Sequence, residues 1–178
     1  MAQADQPQVH QRILDLLRQR GVDFQLTSHR PVYTSPEAAQ VRGESLHSGA
    51  KAILVKADDR FVLLVLPGDR ALDSKQTRKL LACKTLRFAS PEEVRHLTTL
   101  SPGAIPPFGS LFGLSTYCDR SLADNDCINF NAGTHTESIR LRYADYIAAE
   151  QPTVADFSRP PRRVAPGLAP RGSKLRPA

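Results

Sequence analysis

The stretch Lys51-Ala52-Ile53-Leu54-Val55-Lys56-Ala57-Asp58-Asp59-Arg60-Phe61-Val62-Leu63-Leu64-Val65-Leu66 decides the fold class. Two apolar runs rich in branched residues, Ala52–Val55 and Phe61–Leu66, flank a polar Asp58-Asp59-Arg60. That pattern predicts two strands joined as a hairpin. Upstream, Val9, Ile13, Leu16 and Leu17 fall at helical spacing, with Gly21 placed to close the helix. Phe24–Leu26 is a short strand candidate. Ser35-Pro36-Glu37 reads as an N-cap, a first-turn proline and a dipole-matched acid, opening a helix that Gly43 stops.

Downstream, Asp73 or Ser74 caps a helix through Leu81, and Thr85–Phe88 reads as a strand. Ser90-Pro91-Glu92-Glu93 repeats the capped-helix signature. Ser101–Gly109 is too rich in Pro and Gly for regular structure. Three more strands are expected at Leu114–Cys118, Ile128–Asn131 and Ser138–Leu141, then a helix over Tyr143–Ala149. Hairpin-linked strands among scattered short helices predict an α+β fold, not a doubly wound sheet.

The 178 residues suit one domain, and 40% hydrophobic content suits a folded one. The net charge of +6 suggests nucleic acid until its distribution is read. From Arg159 to Ala178 lie six basic residues and no acid (Arg159, Arg162, Arg163, Arg171, Lys174 and Arg176). They carry the whole excess, so residues 1–158 are formally neutral. The expected organisation is therefore a folded domain over 1–158 and a basic, Pro-rich, disordered tail over 159–178. The tail reads equally as a solubilising extension or as an arm that grips phosphates. No run approaches the ~18 apolar residues of a membrane span, and the start lacks a secretory pattern, so a cytoplasmic protein without membrane contact is expected. Cys83, Cys118 and Cys127 show no zinc spacing and are expected to be free thiols.

Nucleophile-elbow, Walker, zincin and dinucleotide motifs are all absent, and the five histidines are scattered. No metal or other cofactor is expected. Three segments could carry chemistry. Gly103-Ala104-Ile105-Pro106-Pro107-Phe108-Gly109 is a stiff turn able to present main-chain N–H groups, although such a pattern alone is more often a plain connection. Lys51 enters an apolar strand, which is costly without an anionic partner, although a lysine can also snorkel from a strand edge. Asn131-Ala132-Gly133-Thr134-His135-Thr136-Glu137 is a polar turn between strands, able to shape a pocket wall or serve as an ordinary hairpin loop.

Read together, these segments resemble a known family from about Ile13 to Ala149. The residues that carry the resemblance are His29-Arg30-Pro31-Val32-Tyr33-Thr34-Ser35 leading into Glu37-Ala38-Ala39, Lys51 before Ala52–Val55, and Val65-Leu66-Pro67-Gly68-Asp69-Arg70 with Leu72-Asp73. They continue with Phe88-Ala89-Ser90-Pro91-Glu92-Glu93-Val94, the Gly103–Gly109 turn and Phe130-Asn131-Ala132-Gly133. In this order they are similar to the YbaK/EbsC-type aminoacyl-tRNA deacylases and to the editing insertion domain of bacterial prolyl-tRNA synthetase. The resemblance implies a compact, barrel-like mixed β-sheet with short surrounding helices and a pocket for the 3′ acceptor end of aminoacyl-tRNA. It implies catalytic roles for Lys51, Gly103, Ala104, Ile105 and Pro107. Substrate contacts are expected at His29, Thr34, Ala132, Gly133 and His135, and tRNA contacts at the six basic tail residues.

The implied activity is trans-editing: hydrolysis of a small mischarged amino acid, such as Ala or Ser, with Cys or Thr as further options. An aminoacyl ester is already activated, so a positioned water and a stabilised oxyanion suffice, with the substrate's own ribose hydroxyl assisting. An aminoacyl-tRNA synthetase is a further candidate partner. The competing readings are a non-catalytic tRNA- or nucleotide-binding relative with a regulatory role, and a hydrolase using Cys118 or Cys127.

Overall fold

A computed structural model describes residues 6–161. At its centre β2 (Ala50–Ala57) and β3 (Arg60–Pro67) form the expected hairpin, antiparallel over eight residue pairs from Ala50↔Pro67 to Ala57↔Arg60. Asp58 takes the left-handed conformation that the tight turn requires, with φ 52°. Around this hairpin the chain runs α1 (Gln6–Gln19), β1 (Phe24–Ser28) and α2 (Ser35–Arg42) before it. After it come β4 (Ala71–Leu72), α3 (Ser74–Leu81), β5 (Leu86–Phe88), α4 (Pro91–Thr98), β6 (Ser115–Asp119), β7 (Cys127–Asn131), β8 (Glu137–Arg142), α5 (Tyr143–Glu150), β9 (Thr153–Ala155) and β10 (Ser158–Arg159).

The strands form a mixed five-stranded sheet in the order β5-β2-β3-β6-β9, an antiparallel sheet β1-β8-β7 and a two-stranded β10-β4. β6 and β9 join in parallel, so the larger sheet is antiparallel on one side of β3 and parallel on the other. The larger core lies between the two main sheets, where Leu54, Leu63 and Val65 meet Ile128, Phe130 and Ile139 with Ile13 and Leu17 of α1. A second core fills the opposite face of the five-stranded sheet, from Val62, Leu64 and Leu66 to Leu81 of α3 and Phe157. A single parallel bridge, Gly49↔Asn129, joins the start of β2 to β7. The architecture is the expected α+β, with its β-structure divided among three sheets.

Most expected elements form, and the differences are local. Thr34, not Ser35, caps α2: its hydroxyl accepts the Glu37 N–H while the Glu37 carboxylate accepts the Thr34 N–H, a reciprocal capping box. Asp73 caps α3 and Ser90 caps α4 as read. The short strands β4, β9 and β10 have no counterpart in the sequence reading. Arg159, expected in the tail, is the second residue of β10 and pairs with Ala71. Arg162, Arg163, Arg171, Lys174 and Arg176 lie outside the described residues. Among those described, no helix is long and apolar enough to cross a membrane.

Asp119, 2% exposed at the end of β6, holds the C-terminal strands to the core. Its carboxylate accepts the N–H groups of Phe157 (2.9 Å), Ser158 (2.8 Å) and Ser121 (3.1 Å). Burial alone would raise its pKa, but bonds from the Ser121 hydroxyl and the Phe157 N–H outweigh it and hold the group below the ordinary carboxylate value. A depressed folded pKa adds stability that is complete above the unfolded value and is lost as pH falls through the folded one. Asp119→Asn should therefore cost about 3 kcal/mol in urea unfolding at neutral pH. Its stability should also fall less steeply than that of the unmodified chain below about pH 4. Parallel acid profiles for the two proteins would contradict this account.

Candidate functional site

The seam marked by the Gly49↔Asn129 bridge opens into a cavity of about 90 Å³, room for several waters or a small organic group. One wall is helical. Ser35, Ala38, Ala39 and Arg42 fall at i, i+3, i+4 and i+7, so α2 turns a single face to the cavity, with Tyr33 and Thr34 before it. The start of β2 supplies Gly49, Ala50, Lys51 and Ala52, and β7 supplies Asn129, Phe130 and Asn131. Gly103 and Ile105 close it from the Pro-rich turn. The lining is small and apolar at Ala38, Ala39, Ala50 and Ala52, bulkier at Ile105 and Phe130, cationic at Lys51 and Arg42, and acidic at Glu44.

The turn is held from beneath. Buried Tyr146 of α5 donates its hydroxyl to the Pro107 carbonyl (3.0 Å), and Gly109 N–H donates to Thr116 Oγ1 (3.0 Å), itself bonded to Glu150. A Cβ at Gly109 would lie 2.4 Å from Thr116 Oγ1 and 2.8 Å from the Leu114 carbonyl, so only glycine fits. Gly103 has φ +88°, a conformation costly for any other residue. Its carbonyl accepts the Asn131 side-chain amide at 2.8 Å. Ala104 N–H is committed to the Ser101 carbonyl (3.1 Å). Among the described residues the N–H groups of Gly103, Ile105 and Phe108 have no acceptor, and of these three residues Gly103 and Ile105 line the cavity, which makes them the turn's available donors there.

Lys51 borders the cavity, but its ammonium donates to the Arg70 carbonyl at 2.7 Å. Burial pulls its pKa below the ordinary lysine value, against the opposing pull of Asp69. Arg70 is itself fixed by its Nε bond to Ser158 Oγ (2.6 Å). Lys51 is thus tethered through Arg70 to β10 and, by the Ser158 N–H, to Asp119.

Of the expected catalytic residues, Lys51, Gly103 and Ile105 converge on the cavity, while buried Ala104 and Pro107 support the turn without lining it. Of the expected substrate contacts, only Thr34 lines it. Ala132 and Gly133 pack against α1 instead: the Ala132 carbonyl bonds His10, and a Cβ at Gly133 would lie 3.2 Å from His10 N. His135 stands behind Tyr33, with ring centroids 4.7 Å apart and Nδ1 on the Val32 carbonyl. His29 bridges the Arg30 carbonyl and Ser138 Oγ. Cys118 is fully buried, and burial raises its thiol pKa to about 12, so it is not a ready nucleophile. Neither Cys118 nor Cys127 lines the cavity.

The sequence reading missed Arg42, and it placed Asn131 in the polar turn and the family signature without giving it a role. Arg42 was signalled only by its helical spacing from Ser35, Ala38 and Ala39. The Asn131 side chain joins the two halves of the site, accepting from Arg42 Nη2 at 2.6 Å and donating to the Gly103 carbonyl. Asn131→Ala should lower stability by about 1 kcal/mol. It should also speed amide exchange at Ala104, whose N–H is bonded to the Ser101 carbonyl, relative to the core strands. Unchanged exchange at this amide would show that Asn131 does not hold the turn.

Comparison with known proteins gives matches in sequence and in fold. Residues 29–149 match the family model described as the aminoacyl-tRNA editing domain. The chain is 36% identical over 155 residues to an Escherichia coli protein named multifunctional Ser/Thr-tRNA deacylase ProXp-y, covering 84% of this chain and 93% of the relative. It is 39% identical over 82 residues to the proline–tRNA ligase of Bacillus licheniformis, covering 46% of this chain and 14% of the ligase. A solved structure assigned as a candidate trans-editing enzyme for prolyl tRNA synthetase superposes with a TM-score of 0.76 at 27% identity, over 85% of this chain and 97% of the other.

Proposed function

The chain belongs to the aminoacyl-tRNA editing domain family and is an aminoacyl-tRNA deacylase, and on that premise we propose that it clears a small mischarged amino acid by metal-free attack of water on the ester. The observation that carries this reading is the convergence of Lys51 and the Gly103–Ile105 turn on one small cavity walled by alanines. The aminoacyl group enters between Ala38, Ala39, Ala50 and Ala52, which leave room for a short side chain and exclude a long one. Alanine and serine fit this selection by size. The E. coli relative's name, a Ser/Thr-tRNA deacylase, supports serine first and threonine next.

At the ester carbon, the N–H groups of Gly103 and Ile105 are the donors available to the developing oxyanion. Held by Arg70, Lys51 stands at the rim as a fixed positive charge that attracts the acceptor end or polarises the ester. Glu44, the cavity's one carboxylate among the described residues, lies 3.1 Å from Arg140 Nε. Among the described residues no imidazole and no unpaired carboxylate lines the cavity, so the ribose hydroxyl next to the ester directs the water. The 3′ acceptor end of aminoacyl-tRNA is the proposed ligand of this site, with a synthetase as a further partner and the cytoplasm as the compartment.

A deacylation screen against tRNAs charged with Ala, Ser, Thr, Cys and Pro tests the assignment. Serine or alanine should be released and proline left in place. Lys51→Ala should lower kcat/KM on the accepted substrate by about a hundredfold. Release of none of the five would refute the reading, and full activity in Lys51→Ala would remove the role given to that residue.

The basic residues beyond the described chain are proposed to grip tRNA phosphates. Removing residues 162–178 leaves β10 and its tether to Lys51 in place. This truncation should weaken tRNA binding at low salt and flatten its dependence on salt concentration. An identical salt slope would assign the tail another role.

A further inference from the structure

Arg42 closes the C-terminal end of α2 and borders two cavities at once. One is the alanine-walled cavity. The other, of about 140 Å³, lies over the polar face of the β1-β8-β7 sheet, where Gln25, Thr27, Asn129, Ser138 and Arg140 stand side by side and Glu44, also in the lining, is paired with Arg140. The first has apolar walls for an acyl group and the second polar, neutral or charge-paired walls for a sugar-phosphate chain. The guanidinium marks the boundary between them.

Its bonding leaves it charged and unanswered. Nε donates to Ser138 Oγ (2.8 Å) and Nη2 to Asn131 Oδ1 (2.6 Å), both neutral acceptors. Of five N–H donors, three remain. Among the described residues no carboxylate lies within 4 Å of it, since Glu44 pairs with Arg140 instead. Burial brings its pKa down to about 10, against the opposing pull of Glu44, so it stays cationic at neutral pH while poorly solvated. Such a group gains more from an arriving anion than an exposed arginine does.

The orientation is fixed as well. Ser138 is 3% exposed and lies 2.6 Å from His29 Nε2, while His29 Nδ1 lies 2.8 Å from the Arg30 carbonyl. One assignment of protons satisfies the chain: His29 donates to Arg30, Ser138 donates to His29, and Arg42 donates to Ser138. Asn131 is held at its other end by Gly103. A planar fork so held is preorganised for phosphate oxygens. The ammonium of Lys51, by contrast, is a point charge without a planar fork, and one of its three N–H donors goes to the Arg70 carbonyl.

We propose that Arg42 is the phosphate clamp of this site, holding the phosphodiester 5′ of the terminal nucleotide so that the aminoacyl ester falls into the adjoining cavity. That the anion belongs to an RNA end rests on the deacylase reading above. The test uses the whole chain and the trinucleotide 5′-CCA-3′, with its last linkage either a phosphodiester or an uncharged methylphosphonate, titrated by NMR. The unmodified chain should bind the phosphodiester about tenfold more tightly, as one charge-assisted bidentate contact would give. Arg42→Gln should lose that preference, with a thermal melt checking that it folds. Equal or undetectable binding of the two probes by the unmodified chain, or a preference retained in folded Arg42→Gln, overturns the proposal. The wild-type comparison decides the matter even where the variant fails to fold. Turnover of charged tRNA is measured separately. A preference for the phosphodiester without turnover leaves the clamp standing and removes the deacylase reading; turnover without the preference does the reverse.

Discussion

The eight-pair register between β2 and β3 is the constraint on which the rest of the molecule depends. β3 has no solvent face along most of its length: Leu63 and Val65 enter one core, and Val62, Leu64 and Leu66 the other. A slip of one residue in β2 would exchange its two faces. Ala50, Ala52 and Leu54 would leave the larger core, and the Lys51 ammonium would be driven into it without a partner. The cost of burying that charge, several kcal/mol or more, makes the register self-enforcing. The correct register lays Lys51 opposite Leu66, within reach of the Arg70 carbonyl just beyond the hairpin.

From that frame the site is assembled by tethers, each one hydrogen bond long. Tyr146 and Glu150 fix the Pro-rich turn from α5, Asn131 ties the turn to α2, and Ser158 fixes the residue that holds Lys51. Loops that carry chemistry are ordinarily the mobile parts of a fold. Here the turn is tied at Gly103, Ala104, Pro107 and Gly109, and at the cavity Gly103 and Ile105 keep unpaired N–H groups. The two cations are bonded differently. Lys51 is anchored through one of its three donors to a carbonyl, whereas Arg42 is fixed in the plane of its fork by two side-chain acceptors and retains three donors.

The charge distribution follows the same division. Residues 1–158 balance acids against bases, so the folded part offers no general attraction for RNA. What it offers is local: Lys51 and Arg42 border one cavity, whose carboxylate, Glu44, is paired with Arg140. Long-range attraction is the role proposed above for the basic residues after 161, and selection by size the role proposed for the alanine walls.

The sequence by itself determined the local pieces. Asp73 and Ser90 capped helices as read, and Asp58-Asp59-Arg60 joined two strands, because caps and tight turns are settled by contacts within a few residues. The order of short motifs from His29 to Gly133 was enough to identify the family. What only the tertiary structure decided is which of those motif residues meet. Thr34, Gly103 and Ile105 reach the cavity, whereas Ala132 and Gly133, within the same family signature, turn to α1. The two- and three-residue strands β4, β9 and β10 had no readable pattern, since elements so short exist only through their partners. Arg42 was legible as a helical residue and illegible as a site residue: its meaning depends on Ser138 and Asn131, nearly a hundred positions away, brought beside it by sheet pairing that no local signal encodes.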